Sequence, residues 1–221
     1  INKTINLVGE HRKGTIVDGA NSGDVIKITA DRVNVSGLMI RNGSTTGIRL
    51  TDIQYCCIEN NTITNNTHYG ISLELSRNNV IWRNNFVNNT QQAHDTGSNK
   101  WHNGYPFGGN YWSDFDEPSE GAYDNYSGPN QDILGSDGIV DGGSLNPYYI
   151  PGGSNQDTYP FKHPLGPEYD IIPPTTTIEV GGPHVGDYIN SNTTIWLNAT
   201  DNSGGSGVNY TEYQVWYMGS W

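Results

Sequence analysis

A 23-residue spacing dominates the first hundred residues. Val35, Ile58 and Ile81 recur at that step, as do Ile40, Ile63 and Phe86, and Asn42, Asn65 and Asn88. Within each repeat, short alternations such as Ile48/Leu50 and Ile71/Leu73 are broken by Asn and Gly. Alternation over a few residues bounded by turn formers reads as strand. A repeat of this length holding three short strands is one turn of a right-handed parallel β-helix. The leucine-rich repeat has a similar period but needs a Leu framework that is missing here. Stacked turns lie ~4.8 Å apart. The spacing therefore predicts two apolar columns inside, Val35–Ile58–Ile81 and Ile40–Ile63–Phe86. It also predicts asparagine ladders at pairs such as Asn60-Asn61 and Asn84-Asn85. Asn tolerates left-handed corners, so most of the 27 asparagines read as structural.

Composition agrees. With 28 Gly beside those asparagines the chain is a poor helix former, and the fold class expected is all-β. Lys plus Arg is 11 against 23 Asp plus Glu, a net charge of −12, which excludes nucleic-acid binding through a basic surface. No apolar run of ~18 residues is present to span a membrane. The chain opens INKTINLVGE without Met or an apolar leader core and stops at YMGSW, so it reads as a piece of something longer. Adjacent Cys56 and Cys57 read as two free thiols, because a bridge between neighbours is strained.

After Thr90 the repeat decays into GSNKWHNGYPFGGNYWSDF. Its aromatics are expected to cap the open end of the solenoid. A sugar-stacking platform at Trp101, Tyr105 and Trp112 is the alternative. The segments expected are β-helix turns over 1–97, a cap with an acidic loop over 98–165, and a linker over 166–175 around GPEYDIIPPT. A partial immunoglobulin-like β-sandwich follows over 176–221, with strands at Thr176–Val180, Thr193–Ala199 and Tyr210–Tyr217.

The opening KTINLVGEHRKGTIVDG, the GIRL/GISL strands and the NN-x-F-x-NNT endings resemble the NosD-like β-helices of the carbohydrate-binding-and-hydrolase type. GGNYWSDF, YSGPNQDILGSDGIVD and PYYIPGGSNQDTYPFKHP resemble the C-terminal region of such proteins on archaeal, methanogen-like cell surfaces. The resemblance covers residues 1–165 and implies an extracellular location. The function expected is a structural or adhesive, non-catalytic surface glycoprotein module. Its partners would be a cell-surface polymer such as a polysaccharide, or neighbouring copies of itself. A polysaccharide lyase or hydrolase is the first alternative, and a copper-accessory periplasmic protein the second.

Candidate sites follow from chemistry. Asn130, Asp132, Asp137 and Asp141 offer hard oxygen donors on a Gly-containing loop, as Ca²⁺ prefers, although the spacing is not that of an EF-hand. Copper wants His, Cys or Met, and the six histidines are scattered. Glycoside hydrolysis needs two carboxylates across one bond. The outward column Lys27, Arg49, Ser72 and the acids Asp52, Glu59 and Glu74 offer no stacked pair, so no catalytic residue is assigned. Ten Asn-X-Ser/Thr sequons open at Asn2, Asn34, Asn42, Asn60, Asn65, Asn88, Asn125, Asn192, Asn198 and Asn209. They suggest N-glycosylation, expected first at isolated positions such as Asn125, Asn192 and Asn198. In the column Asn42, Asn65 and Asn88, stacked turns leave room for sugar on at most some of the sites, and ladder bonds are one way these side chains are held inward.

Overall fold

The computed structural model describes residues 1–166, 175–185, 188–189 and 192–200. The chain divides into two compact units, Ile1–Pro167 and Glu168–Trp221. The first is a parallel β-solenoid of about four turns, each contributing three short strands. Its first turn holds β1 (Asn6–Val8), β2 (Ile16–Asp18) and β3 (Ile26–Ile28), and its second β4 (Asn34–Ser36), β5 (Met39–Arg41) and β6 (Thr46–Thr51). The third holds β7 (Cys57–Glu59), β8 (Thr62–Thr64) and β9 (Tyr69–Glu74), and the fourth β10 (Arg77–Trp82), β11 (Asn85–Val87) and β12 (Gln91–Asp95). Two further strands, β13 (Ser98–Lys100) and β14 (Tyr111–Trp112), close the stack. The three faces are the sheets β1-β4-β7-β10-β13, β2-β5-β8-β11-β14 and β3-β6-β9-β12.

Both expected columns form. Val35 pairs with Ile58 and Ile58 with Ile81, while Ile40 pairs with Ile63 and Ile63 with Phe86. All six are fully buried, each contributing roughly 1.5–3 kcal/mol of apolar burial. The third sheet adds Ile26–Ile48–Ile71 and Ile28–Leu50–Leu73. The step is not uniform. Asn6 and Asn34 bond across 28 residues, Asn84 and Asn110 across 26, and Asn79 and Asn99 across 20. The short step falls on the β10–β13 pair, whose register shifts between Arg77 and Val80.

Asparagine does two separate jobs. Asn21, Asn42, Asn60, Asn65, Asn78 and Asn88 sit at corners with φ between 52° and 59°, which Asn accepts more readily than other chiral residues. A different set forms the ladders. Leu38 N–H donates to Asn61 Oδ1, Asn61 N–H to Asn84 Oδ1 and Asn84 N–H to Asn110 Oδ1, each at 3.1 Å. The amide nitrogens of Asn61, Asn84 and Asn110 donate to the carbonyls of Val35, Ile58 and Ile81 one turn below. Asn66 and Asn89 form a second ladder. In the expected pairs only Asn61 and Asn84 are ladder members. Asn60 is a corner, and Asn85 exchanges two bonds of 2.8 Å with the backbone of Leu165.

Beyond the solenoid the cap holds small antiparallel pairs: β15 (Tyr126–Ser127) with β16 (Ile133–Leu134), and β17 (Tyr148–Tyr149) with β18 (Gln156–Asp157). The second unit shows β19 (Thr175–Val180), β20 (His184–Val185), β21 (Tyr188–Ile189) and β22 (Ile195–Thr200). β19 pairs antiparallel with β22, and β20 with β21. The expected strand Tyr210–Tyr217 and the sequon at Asn209 lie outside the described residues. No α-helix occurs among the described residues.

Candidate functional site

The sheet β3-β6-β9-β12 presents a polar face of the solenoid. Alternation turns Lys27, Arg49, Ser72 and His94 outward in one row, in register across four strands. Arg49 is the centre of this face. Its Nε donates to Asp24 at 2.8 Å, one terminal nitrogen to Glu74 at 2.6 Å and the other to Thr46 Oγ1 at 2.8 Å. The three ionic groups come from three successive turns. Burial pushes the Asp24 carboxyl up, but the donors Arg49 and Thr45 outweigh it and hold the group below the usual carboxylate range. Asp24 in turn raises the Arg49 guanidinium. Beside the clamp, the Tyr69 ring stacks on His94 at 5.1 Å and is tilted against His68 at 3.9 Å.

Glycoside hydrolysis needs one carboxyl that keeps a proton and a second carboxylate facing it across the bond. Asp24 is held ionised, and Arg49 lies between it and Glu74. Glu59 is on another sheet, paired with Ser36 and Trp82, and Asp52 is an exposed corner. The acids do not assemble into a catalytic pair.

The acidic loop folds around hydrogen bonds to its own backbone. Asp137 accepts from the N–H groups of Gly128 and Ile139, and Asp141 from those of Asn125 and Tyr126. Asp124, which the spacing argument overlooked, accepts from the N–H groups of Asp137 and Gly138 and from Ser136 Oγ. Asn130 and Asp132 point into solvent. The four residues expected to share a cation divide into two exposed side chains, Asn130 and Asp132, and two that engage backbone N–H groups, Asp137 and Asp141. Among the described residues no three His, Cys, Asp or Glu side chains cluster as a metal-binding set. Their spacing serves the turns of the loop: each engaged carboxylate closes a local bend of backbone.

The aromatic segment is a plug. Phe86, Trp112 and Tyr148 stack in series at 4.5 and 4.0 Å, with Trp101 tilted against Trp112. Trp101 and Trp112 are fully buried and cannot offer a ring face to a sugar, and Tyr105 is half-buried. This corrects the stacking-platform alternative, because the open core at the end of the solenoid takes the largest side chains available. Their indole nitrogens donate to buried carboxylates, Trp101 to Asp95 at 2.9 Å and Trp112 to Asp157 at 3.1 Å. Asp157 also accepts from the N–H groups of Asn110 and Tyr159. Burial pushes its carboxyl up to about 7 against the pull of those donors.

The soft-metal residues are dispersed. Cys56 points inward and replaces asparagine in a third ladder. Its sulfur accepts from Val33 N–H at 3.4 Å, and its own N–H donates to Asn79 Oδ1 at 2.8 Å. Cys57 faces out of the first sheet, where burial pushes its thiol up to about 11. Met39 lies on the second sheet, His94 on the third, and His102 stands edge-on to Tyr159 in the cap.

The sequons differ in what their amides do. Asn34 donates to Asn6, Asn42 to Asp18 and Asn125 to Asp141. Asn60 is half-buried, whereas Asn2, Asn65, Asn88, Asn192 and Asn198 are exposed. The expectation that the ladder holds the sequon asparagines inward is corrected, since the ladder uses their neighbours.

Residues 6–117, about half of the chain, match the model of a family described as "Periplasmic copper-binding protein (NosD)". No curated protein and no solved structure matches. Among the described residues no three His, Cys, Asp or Glu side chains cluster as a metal-binding set, and His68 and His94 are the two histidines that share a face, on either side of Tyr69.

Proposed function

Since the chain belongs to the NosD family of parallel β-helix proteins, we propose that it serves as a non-catalytic structural or adhesive module at the cell surface that contacts a surface polysaccharide. The family is periplasmic by description, and among the described residues no helix is long and apolar enough to cross a membrane. The observation that carries the reading is the Asp24–Arg49–Glu74 clamp. It engages Asp24, Arg49 and Glu74 in tying three turns together and leaves Lys27 exposed beside them, so the face is a rigid surface of hydrogen-bonding side chains and rings. Such a surface suits contact with a polyhydroxylated polymer along its length.

Incubation with a panel of neutral and acidic polysaccharides tests the absence of catalysis. The expected result is no new reducing ends and no unsaturated uronate. Turnover that disappears in Arg49→Met or Glu74→Gln would overturn the reading in favour of a lyase or hydrolase.

A further inference from the structure

The corner after β5, β8 and β11 stacks Asn42, Asn65 and Asn88 in one column. The residues before them, Arg41, Thr64 and Val87, pair in register across successive turns. All three asparagines have left-handed φ, of 58°, 54° and 52°, and each opens a sequon. In the lower two pairs of the motif the adjacent asparagines divide their roles. Asn66 and Asn89 are buried and bond along the ladder at 2.9 Å, while Asn65 and Asn88 turn into solvent. Asn42 differs, because its amide donates to both carboxylate oxygens of Asp18 at 3.2 and 3.1 Å. Among the described residues neither Asn65 nor Asn88 uses its side-chain amide in a hydrogen bond of the fold.

We propose that Asn65 and Asn88 are alternative attachment sites for one N-linked glycan, filled one per molecule. The proposal rests on export of the chain, as the surface reading does. The step joins Asn Nδ2 to C1 of a sugar activated as a lipid phosphate ester. The C1–O bond breaks, the phosphate leaves with its electron pair, and one amide proton passes to a base of the host transferase. Attachment at either site costs the fold no hydrogen bond. Attachment at both is blocked, because stacked turns hold the two asparagines only ~5 Å apart. A branched glycan and its hydration need more room than that. The exposed Thr67 closes the first sequon and Thr90 the second, and the Thr67 carbonyl accepts from Thr90 Oγ1 at 2.6 Å, which ties the two sequons together.

The experiment is middle-down mass spectrometry of the chain isolated from its natural host, on a fragment that spans both positions. It is repeated on Asn65→Gln, Asn88→Gln and the double variant expressed in that host. The proposal expects one glycan on the fragment, distributed between the two positions. Occupancy at Asn88 should rise in Asn65→Gln and the reverse in Asn88→Gln, with none in the double variant. Both sites filled on one molecule, or sugar at Asn42 in place of either, overturns it. So does a bare column in a chain glycosylated elsewhere, a result that leaves the surface role standing. A chain without any sugar overturns the proposal too, while the polysaccharide panel reads the surface role separately.

Discussion

Asn84 offers the sharpest test of the ladder. It is fully buried and bonds its ladder neighbours on both sides, Asn61 and Asn110. Its Oδ1 accepts from the N–H of Asn61 one turn below at 3.1 Å, and its Nδ2 donates to the carbonyl of Ile58 at 2.8 Å. Asn84→Ala removes both bonds, together with the one Oδ1 accepts from Asn61 Nδ2 and those Nδ2 donates to Trp82 and Asn110. Each orphaned buried group costs ~1–3 kcal/mol, so the variant should lose about 4 kcal/mol. At roughly 2–4 °C per kcal/mol for a chain of this size, the melting temperature should fall by about 8–16 °C. Asn65→Ala is the control. It removes an exposed side chain with no bond to the fold, and its cost is that of alanine in a left-handed corner, ~1 kcal/mol. Thermal melts of the full chain followed by circular dichroism measure both. Reasoning from the ladder fails if Asn84→Ala melts within about 2 °C of the native chain, or if the two variants lose the same amount.

Other outcomes follow from the cap and the outer face. Gly109→Ala would place a Cβ 1.8 Å from Asp157 Oδ1. It should destabilise the cap by ~3 kcal/mol or more, read as a lower urea midpoint. Burial pushes the Cys57 thiol up to about 11 and also raises Cys56. Neither should react with an aromatic disulfide reagent at pH 8 in the native chain, and both should react in denaturant; rapid native labelling would contradict the burial. Asp24 has a folded pKa below its unfolded value, so its stabilising contribution is present above about pH 4 and lost as the pH falls through the lower folded value. Arg49→Met should therefore shrink the drop in melting temperature below pH 4, and an unchanged acid limb would show that the clamp carries none of it.

The sequence revealed the solenoid because periodic contacts leave a periodic trace. The columns through Ile58 and Ile63 connect residues at one offset, and any stacked fold must repeat it. The cap was legible for a different reason, since five aromatics within a dozen residues at the end of a solenoid have an open core to fill. What the sequence concealed are contacts whose spacing is set by loops. Arg49 reaches Asp24 and Glu74 at separations of 25 residues, two beyond the repeat, because each acid sits at a strand end. Cys56 hides in a ladder position that asparagine fills one turn later. Asp132 and Asp137 looked alike as oxygen donors, yet one faces solvent and the other closes a loop through backbone N–H groups. Only the fold separates them. Pairs such as Asn65-Asn66 read as one ladder unit, but alternation about a corner sends one residue out and the next one in.

Co-sedimentation of the purified chain with the insoluble polysaccharide fraction of its host's envelope tests the surface role most directly. The account predicts that the chain pellets with the polymer, that Arg49→Met together with Tyr69→Ala weakens the retention, and that the polymer is recovered at unchanged chain length. A chain that stays in the supernatant, or a polymer shortened during the incubation, would contradict it.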